Sequence, residues 1–358
     1  MTKATLRMPT PIRKSALCGA SLLLLIGSAF AAPPAYKDPS PKRYDLTARA
    51  SKIDRRAKEH PEIGFVFEKD GKPQDTEHAC VDTRVAPQGK LVIWLMGHNQ
   101  GLFEHVSGYG LHAIQVHYAN GWFSKLYGGP PPEDGLFLSK VRLEAATGDD
   151  HSKAIDIPKP DGIMERSFQL VKWLAKEHPQ GQWDQFLSRD GKGLVWDKVI
   201  LAGISHGSTT AARMAKQVRV DRVVMFSGPR DQLESWQSLP SATPGERFFG
   251  FTHVLDDGWK NDHYCRSWQM LQLHDYGPLV NVDSATPPYS NTRRLVTEAD
   301  VKNDPNRAHG AVVPGGTSPK DKAGNFLYED VWRYLFTHPV NEIGERTAPD
   351  SECRMQQR

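Results

Sequence analysis

Residues 195–218 read VWDKVILAGISHGSTTAARMAKQV, and their character changes at the centre. Up to Leu201 the stretch is a short apolar run, and beyond Ser208 it takes on helix-like spacing. At the join, Ser205 lies between Gly203 and Gly207. A sharp turn from a buried strand into a helix puts its central residue in a sparsely populated backbone conformation, and flanking glycines remove the side chains that would clash. The same turn holds a hydroxyl clear of the backbone and aims the first N–H groups of the helix at whatever that hydroxyl attacks. Serine is a weak nucleophile until a base takes its proton, so the stretch predicts an imidazole brought in from elsewhere. A chance G-x-S-x-G occurs in about one chain in seven of this composition, so the strand–turn–helix context carries the reading.

Outward from this stretch, strands and helices alternate. Residues 90–97, KLVIWLMG, form a continuous apolar run, the mark of a strand buried on both faces. Residues 100–110 read as a short helix and 111–120 as the next strand. In residues 161–179 the apolar side chains Ile163, Phe168, Val171 and Leu174 recur on one helical face, and Pro179 ends it. RVVMFSG (222–228) and RFFGFTHVL (247–255) are further strands, HYCRSWQMLQL (263–273) a helix, TRRLVTEADV (292–301) a last strand and NFLYEDVWRYLFTH (325–338) a closing helix. Two strand-like runs around Asp70-Gly71 predict an N-terminal hairpin. Residues 32–61 are polar and read as a surface arm, 122–160 as an irregular insertion and 229–247 as a loop or small cap. The pattern predicts an α/β fold with a mostly parallel sheet covered on both faces, in one domain spanning 32–358.

The segment around Ser205 resembles the nucleophile elbow of the α/β-hydrolase fold family, and the element order is similar over most of the chain. That resemblance implies a triad in the order serine, acid, histidine. The acid then falls on Asp256, with Asp257 as the alternative, directly after the strand at 247–255; Asp231 is an outside choice. The base falls on His309, between the last strand and the closing helix, ahead of His263, His274 and His338. One oxyanion donor is then the N–H of His206, and the other lies in residues 97–101, on His98 or Asn99. This loop departs from the HGGG pattern of many esterases. The implied activity is that of a serine hydrolase acting on small esters, with a peptidase and a silent binding protein of the same fold as alternatives. It requires no metal and no organic cofactor.

Composition narrows the partners. Lys3, Arg7, Arg13 and Lys14 precede the apolar stretch ALCGASLLLLIGSAF (16–30), and Ala29-Phe30-Ala31 supplies a small-x-small cleavage site. Residues 1–31 therefore read as a signal peptide, directing the protein to a periplasm or the exterior. Their removal takes away four basic and no acidic side chains, so the formal charge of +3 becomes −1. That balance gives no reason to expect a nucleic-acid partner, and the apolar stretch is too short for a stable membrane span. Cys80, Cys265 and Cys353 would remain, and Cys265–Cys353 is the favoured disulfide because it would fasten the tail. His98, His105, His112 and His117 lack metal-ligand spacing. Trp122, Phe123, Tyr127, Phe137, Trp236 and Trp259 fall on segments expected over the catalytic edge and could line an apolar pocket.

Overall fold

The run at 91–95 becomes strand β5 (Leu91–Leu95), buried throughout, and its side chains alternate between two cores. Leu91, Ile93 and Leu95 join one cluster, while Val92 and Trp94 join the other. This is the period of two that a strand imposes, here apolar in both phases because helices cover both faces. The computed structural model describes residues 34–122, 126, 134–231 and 234–349. The expected signal peptide at 1–31 lies outside the described residues, as do Phe123, Tyr127 and Cys353.

Eleven strands occur in the described residues. β1 (Arg43–Arg49), β4 (Thr76–Asp82), β6 (His112–Gln115), β5, β7 (Val199–Ile204), β8 (Arg222–Phe226), β9 (Phe248–His253), β11 (Arg294–Thr297) and β10 (Leu279–Asn281) lie side by side in that order in one sheet. β4 runs antiparallel to both β1 and β6, and every pair from β6 to β10 is parallel. The carboxyl ends of the parallel strands therefore share one edge, where Met96, Ser205, Ser227 and Asp256 follow their strands.

Helices α4 (Ile163–Glu177) and α5 (His206–Gln217) pack on the face carrying Leu91, Ile93 and Leu201. α2 (Gln100–Gly108) and α9 (Glu329–Thr337) cover the opposite face, with Phe103, Trp332 and Phe336 against Val92, Phe226 and Phe251. Each large apolar side chain sealed in this way contributes roughly 1.5–3 kcal/mol. None of the helices in the described residues is long and apolar enough to cross a membrane.

The structure departs from the sequence reading in the N-terminal third. Asp70 and Gly71 do turn a hairpin, both with positive φ, but its strands β2 (Glu68–Lys69) and β3 (Lys72–Pro73) are two residues each. β4 instead takes β1 as its outer antiparallel partner, drawn from the stretch read as a surface arm. Its polar residues Arg43, Asp45, Thr47 and Arg49 alternate with Tyr44, Leu46 and Ala48, as suits an edge strand paired on one side only. The insertion at 122–160 is not irregular throughout, because Phe137–Thr147 forms helix α3, most of it buried. Residues 50–53 form the brief α1 (Ala50–Ile53), and the edge strand β10, three residues long, carries no sequence signal.

β4 itself carries a buried acid, opposite Ala48 of β1. Glu77 is 1% exposed, and its nearest cation, Arg166, is 3.9 Å away and committed to Asp161 at 2.7 Å. Burial pushes the Glu77 carboxyl up to about 8, against the pull of Arg166. A raised acid contributes stability that is whole below its unfolded value, roughly pH 4.3, and is lost as the pH climbs through the folded value. Glu77→Gln keeps the neutral shape, so the variant should gain stability over the parent progressively between pH 5 and about 8. Paired urea titrations at the two ends of that window check this, and a gap that stays constant or narrows with pH would show Glu77 to be ionised in the fold.

Candidate active site

β7 ends in a backbone that only a close approach explains. Ser205 has φ 56° and ψ −122°, a conformation that costs a non-glycine residue about 1–3 kcal/mol and survives only where its surroundings over-determine it. They do so here. Ser205 N–H donates to Phe226 O at 3.0 Å. Its carbonyl accepts from Ser208 Oγ at 2.7 Å, Thr209 Oγ1 at 3.1 Å and Thr209 N–H at 3.2 Å. The flanking glycines mark where the strand and α5 nearly touch: a Cβ on Gly203 would lie 2.5 Å from Gly207 C, and one on Gly207 would lie 1.9 Å from Leu95 O.

Two strands away, Asp256 caps α6 (Asp257–Lys260), accepting from Gly258 N–H at 2.8 Å through Oδ1. Its other oxygen meets His309 Nδ1 at 2.7 Å. Burial alone would raise the Asp256 carboxyl, but the hydrogen bond and charge of His309, helped by Gly258 N–H and the Tyr264 hydroxyl, hold it below its ordinary value. An ionised carboxylate only accepts, so the Nδ1 proton belongs to His309 and its Nε2 is the basic nitrogen. This stabilising contact is complete above roughly pH 4 and disappears as the pH drops through the depressed Asp256 value. Asp257 is exposed and starts α6, which separates it from the pair.

His309 sits within the short helix α8 (Pro305–Ala311), capped by Asp304, where the sequence pointed to a loop. Ser227 Oγ donates to His309 O at 2.9 Å. Because Ser227 directly follows Phe226, the acceptor for Ser205 N–H, the serine and the imidazole are tied to the same strand end. Among the described residues no hydrogen bond joins Ser205 Oγ to His309 Nε2; the structure brings the two to one edge without that contact.

The loop after β5 lies against the elbow, since a Cβ on Gly207 would also meet Met96 Cγ at 2.7 Å. Met96 itself has φ 137°, a feature that sequence reading passed over. Asn99 turns out to be the cap of α2: its side chain accepts from Leu102 N–H at 2.9 Å and donates to Pro314 O at 2.9 Å. The His98 ring stacks face to face on His78, with centroids 3.8 Å apart. The N–H groups of Gly97, His98 and Asn99 donate to no protein acceptor among the described residues. The N–H groups of His98 and Asn99 are therefore left without a protein acceptor among the described residues, while their side chains are engaged elsewhere.

The remaining sequence candidates scatter. Asp231 pairs with Arg142 in the protein interior, and among the described residues no histidine pairs with it. His338 Nε2 faces Glu342 O at 3.0 Å, and His274 lies beside Asp275. Of the other histidines weighed as metal ligands, His105 faces Glu329, His112 faces Gly181 O and His117 stacks on Phe65. Among the described residues no group of three or more metal-ligating side chains assembles. Trp122 and Trp236 are buried, the first edge-on to His206 and the second donating to Asp231, so packing accounts for them. Trp259 packs against Trp268. Sequence reasoning missed Arg142 and Ser227. A signal for the first existed, an arginine four residues after Leu138 and three before Ala145 in an apolar-rich stretch.

The strand order, the antiparallel second long strand and the strained serine turn are the arrangement that the resemblance around Ser205 implies. No protein-family model matches the sequence, and no curated protein sequence matches it. Among solved structures, the chain is similar to esterase 2 of Thermogutta terrifontis at 11% identity, covering 78% of this chain and 95% of that one with a TM-score of 0.36. It is similar to an α/β serine hydrolase without lid from Xanthomonas campestris at 12% identity, over 74% and 92% of the two chains with a TM-score of 0.33. A third likeness is to the acylaminoacyl peptidase of Pyrococcus horikoshii at 8% identity, over 77% of this chain and 39% of that one with a TM-score of 0.36.

Proposed function

We propose that this protein is an exported serine hydrolase that cleaves small carboxylic esters through an acyl-enzyme on Ser205. The observation that carries the reading is the coincidence, at one sheet edge, of a serine in a strained strand-to-helix turn with a His309–Asp256 pair 2.7 Å apart. In the reaction Ser205 Oγ attacks the ester carbonyl carbon while its proton passes to His309 Nε2. Asp256 accepts from Nδ1–H, which fixes the tautomer and stabilises the imidazolium. The N–H of His206 and one N–H of the 97–99 loop receive the oxyanion. The C–O bond to the alcohol then breaks, the imidazolium proton leaves with the alcohol, and water repeats the steps on the acyl-enzyme.

A fluorophosphonate probe tests this directly. Labelling of the native protein that disappears in Ser205→Ala is the expected result. A folded protein that resists labelling would instead be a binding protein of this fold, and faster cleavage of peptides than of p-nitrophenyl esters would make it a peptidase. The same reading holds residues 1–31 to be a signal peptide, leaving one domain from Ala32 in a periplasm or outside the cell. Amino-terminal sequencing of the exported protein tests that boundary. The disulfide proposed with it is Cys265–Cys353, supported by Cys80 being a free and buried thiol.

A further inference from the structure

The residue that follows the proposed nucleophile is gripped by a buried cation. The Arg142 side chain, from α3, is wholly buried, and all of its nitrogens are engaged. Nε and Nη2 face Asp231 in a bidentate pair, with Nε at 2.7 Å from Oδ2, and Asp231 Oδ2 also accepts from Trp236 Nε1 at 2.8 Å. Nη1 turns the other way. It donates to His206 Nδ1 at 2.7 Å, to His206 O at 3.2 Å and to Thr210 Oγ1 at 2.8 Å. Trp122 meets the imidazole edge-on with centroids 4.8 Å apart, and its ring also lies beneath the Arg142 guanidinium at 5.5 Å.

A guanidinium can only donate, so Nδ1 of His206 is an acceptor and the ring proton is on Nε2. Burial, reinforced by the Arg142 charge, drives the His206 imidazolium well below its usual range and keeps the ring neutral. One nitrogen of Arg142 thus holds both the side chain and the carbonyl of His206. The orientation of residue 206 cannot change without breaking these contacts, and residue 206 supplies the N–H assigned above to the oxyanion.

We infer that Arg142 is a positioning residue for the hydrolytic reaction, fixing the His206 tautomer and main chain so that the first oxyanion donor points at the acyl carbonyl. The inference rests on Ser205 being the nucleophile. A purely structural ion pair would need Asp231 alone; the donation to His206 is what a positioning role adds. It also gives the insertion a task, because Arg142 of α3 ties Asp231 in the loop after β8 to His206. Glu234, from that same loop, accepts from Leu138 N–H at 2.7 Å and Ser139 N–H at 3.1 Å, holding the first turn of α3 in place.

The test uses the full mature chain in three forms: native, Arg142→Met, and Arg142→Met combined with Asp231→Leu, which leaves no unpaired buried charge should the single variant fail to fold. In whichever variant folds, kcat for p-nitrophenyl acetate should fall about 100-fold while KM changes less than about twofold, the signature of a lost oxyanion alignment. Affinity for a trifluoromethyl ketone should fall by the same factor as kcat/KM. Nitrogen-15 spectra of the native protein should show His206 as the Nε2–H tautomer, with Nδ1–H growing in when Arg142 is replaced. A folded variant with unchanged kcat, a loss confined to KM, or a native His206 protonated on Nδ1 each overturns the inference. If the native protein shows no Ser205-dependent turnover, the nucleophile reading fails and takes this one with it, whereas retained turnover in the variants sinks this one alone.

Discussion

Replacing His309 with alanine is expected to reduce ester turnover by about 10⁴-fold or more, with little change in KM. Among the described residues, His338 Nε2 faces Glu342 O, His274 lies beside Asp275, and His206 has its Nδ1 occupied by Arg142, so none of these three replaces His309. The residues of a serine triad act as a unit, so Ser205→Ala with His309→Ala should be no worse than either change alone. Asp256→Asn should come close behind, because an amide can hold His309 in the wrong tautomer and offers the imidazolium no charge. Asp257→Asn, by contrast, should leave turnover within about twofold, since that side chain is exposed and outside the pair. Steady-state kinetics on p-nitrophenyl esters decide the matter. Additive losses in the double variant, or a His309→Ala protein that still works, would move the base elsewhere.

The second large effect is expected at a glycine. Gly207→Ala places a methyl group 1.9 Å from Leu95 O and 2.6 Å from Leu95 C, both main-chain atoms in the middle of the sheet. The Met96 side chain, with Cγ at 2.7 Å, can turn aside but the two backbone atoms cannot, so either β5 or the first turn of α5 must shift. Overpacking of this kind costs typically about 1–3 kcal/mol and sometimes more. The functional loss should be larger than the loss of stability implies. Moving α5 moves the His206 N–H, and a misplacement of about 1 Å costs roughly 10²-fold in rate. Thermal unfolding should show a midpoint lower by several degrees, and fluorophosphonate labelling of the remaining folded protein should slow about 100-fold. Normal labelling in a well-folded Gly207→Ala protein would mean that the helix and the sheet are not in contact at this point.

The serine turn is legible in the sequence because its signals are local. Gly203, Ser205 and Gly207 announce a tight turn within five residues, although the approach that excludes a side chain at Gly207 is to Leu95 on a neighbouring strand. The double-faced burial of Leu91–Leu95 follows from its uninterrupted apolar character. Asp256 and His309 were reached by their places after particular strands, and the structure joins them. Errors came where burial was one-sided or the partner remote. β1 reads as polar because an edge strand shows half its side chains to water. Helix α3 reads as irregular because its short sequence is preceded by a Gly/Pro-rich run and because Arg142 and Glu144 occupy buried positions where a periodicity argument wants apolar ones.

The sequence by itself determined the layered α/β architecture and the serine turn, since alternation, apolar runs and glycine placement act over a few residues through backbone sterics and burial. Only the tertiary structure decided which of two adjacent aspartates faces the imidazole, which side chain caps rather than donates in the 97–101 loop, and why Arg142 is in the interior. A buried charge must find a matching one wherever the chain supplies it. For Arg142 those partners are 64 and 89 residues away, at His206 and Asp231, and no local pattern records a distance of that kind.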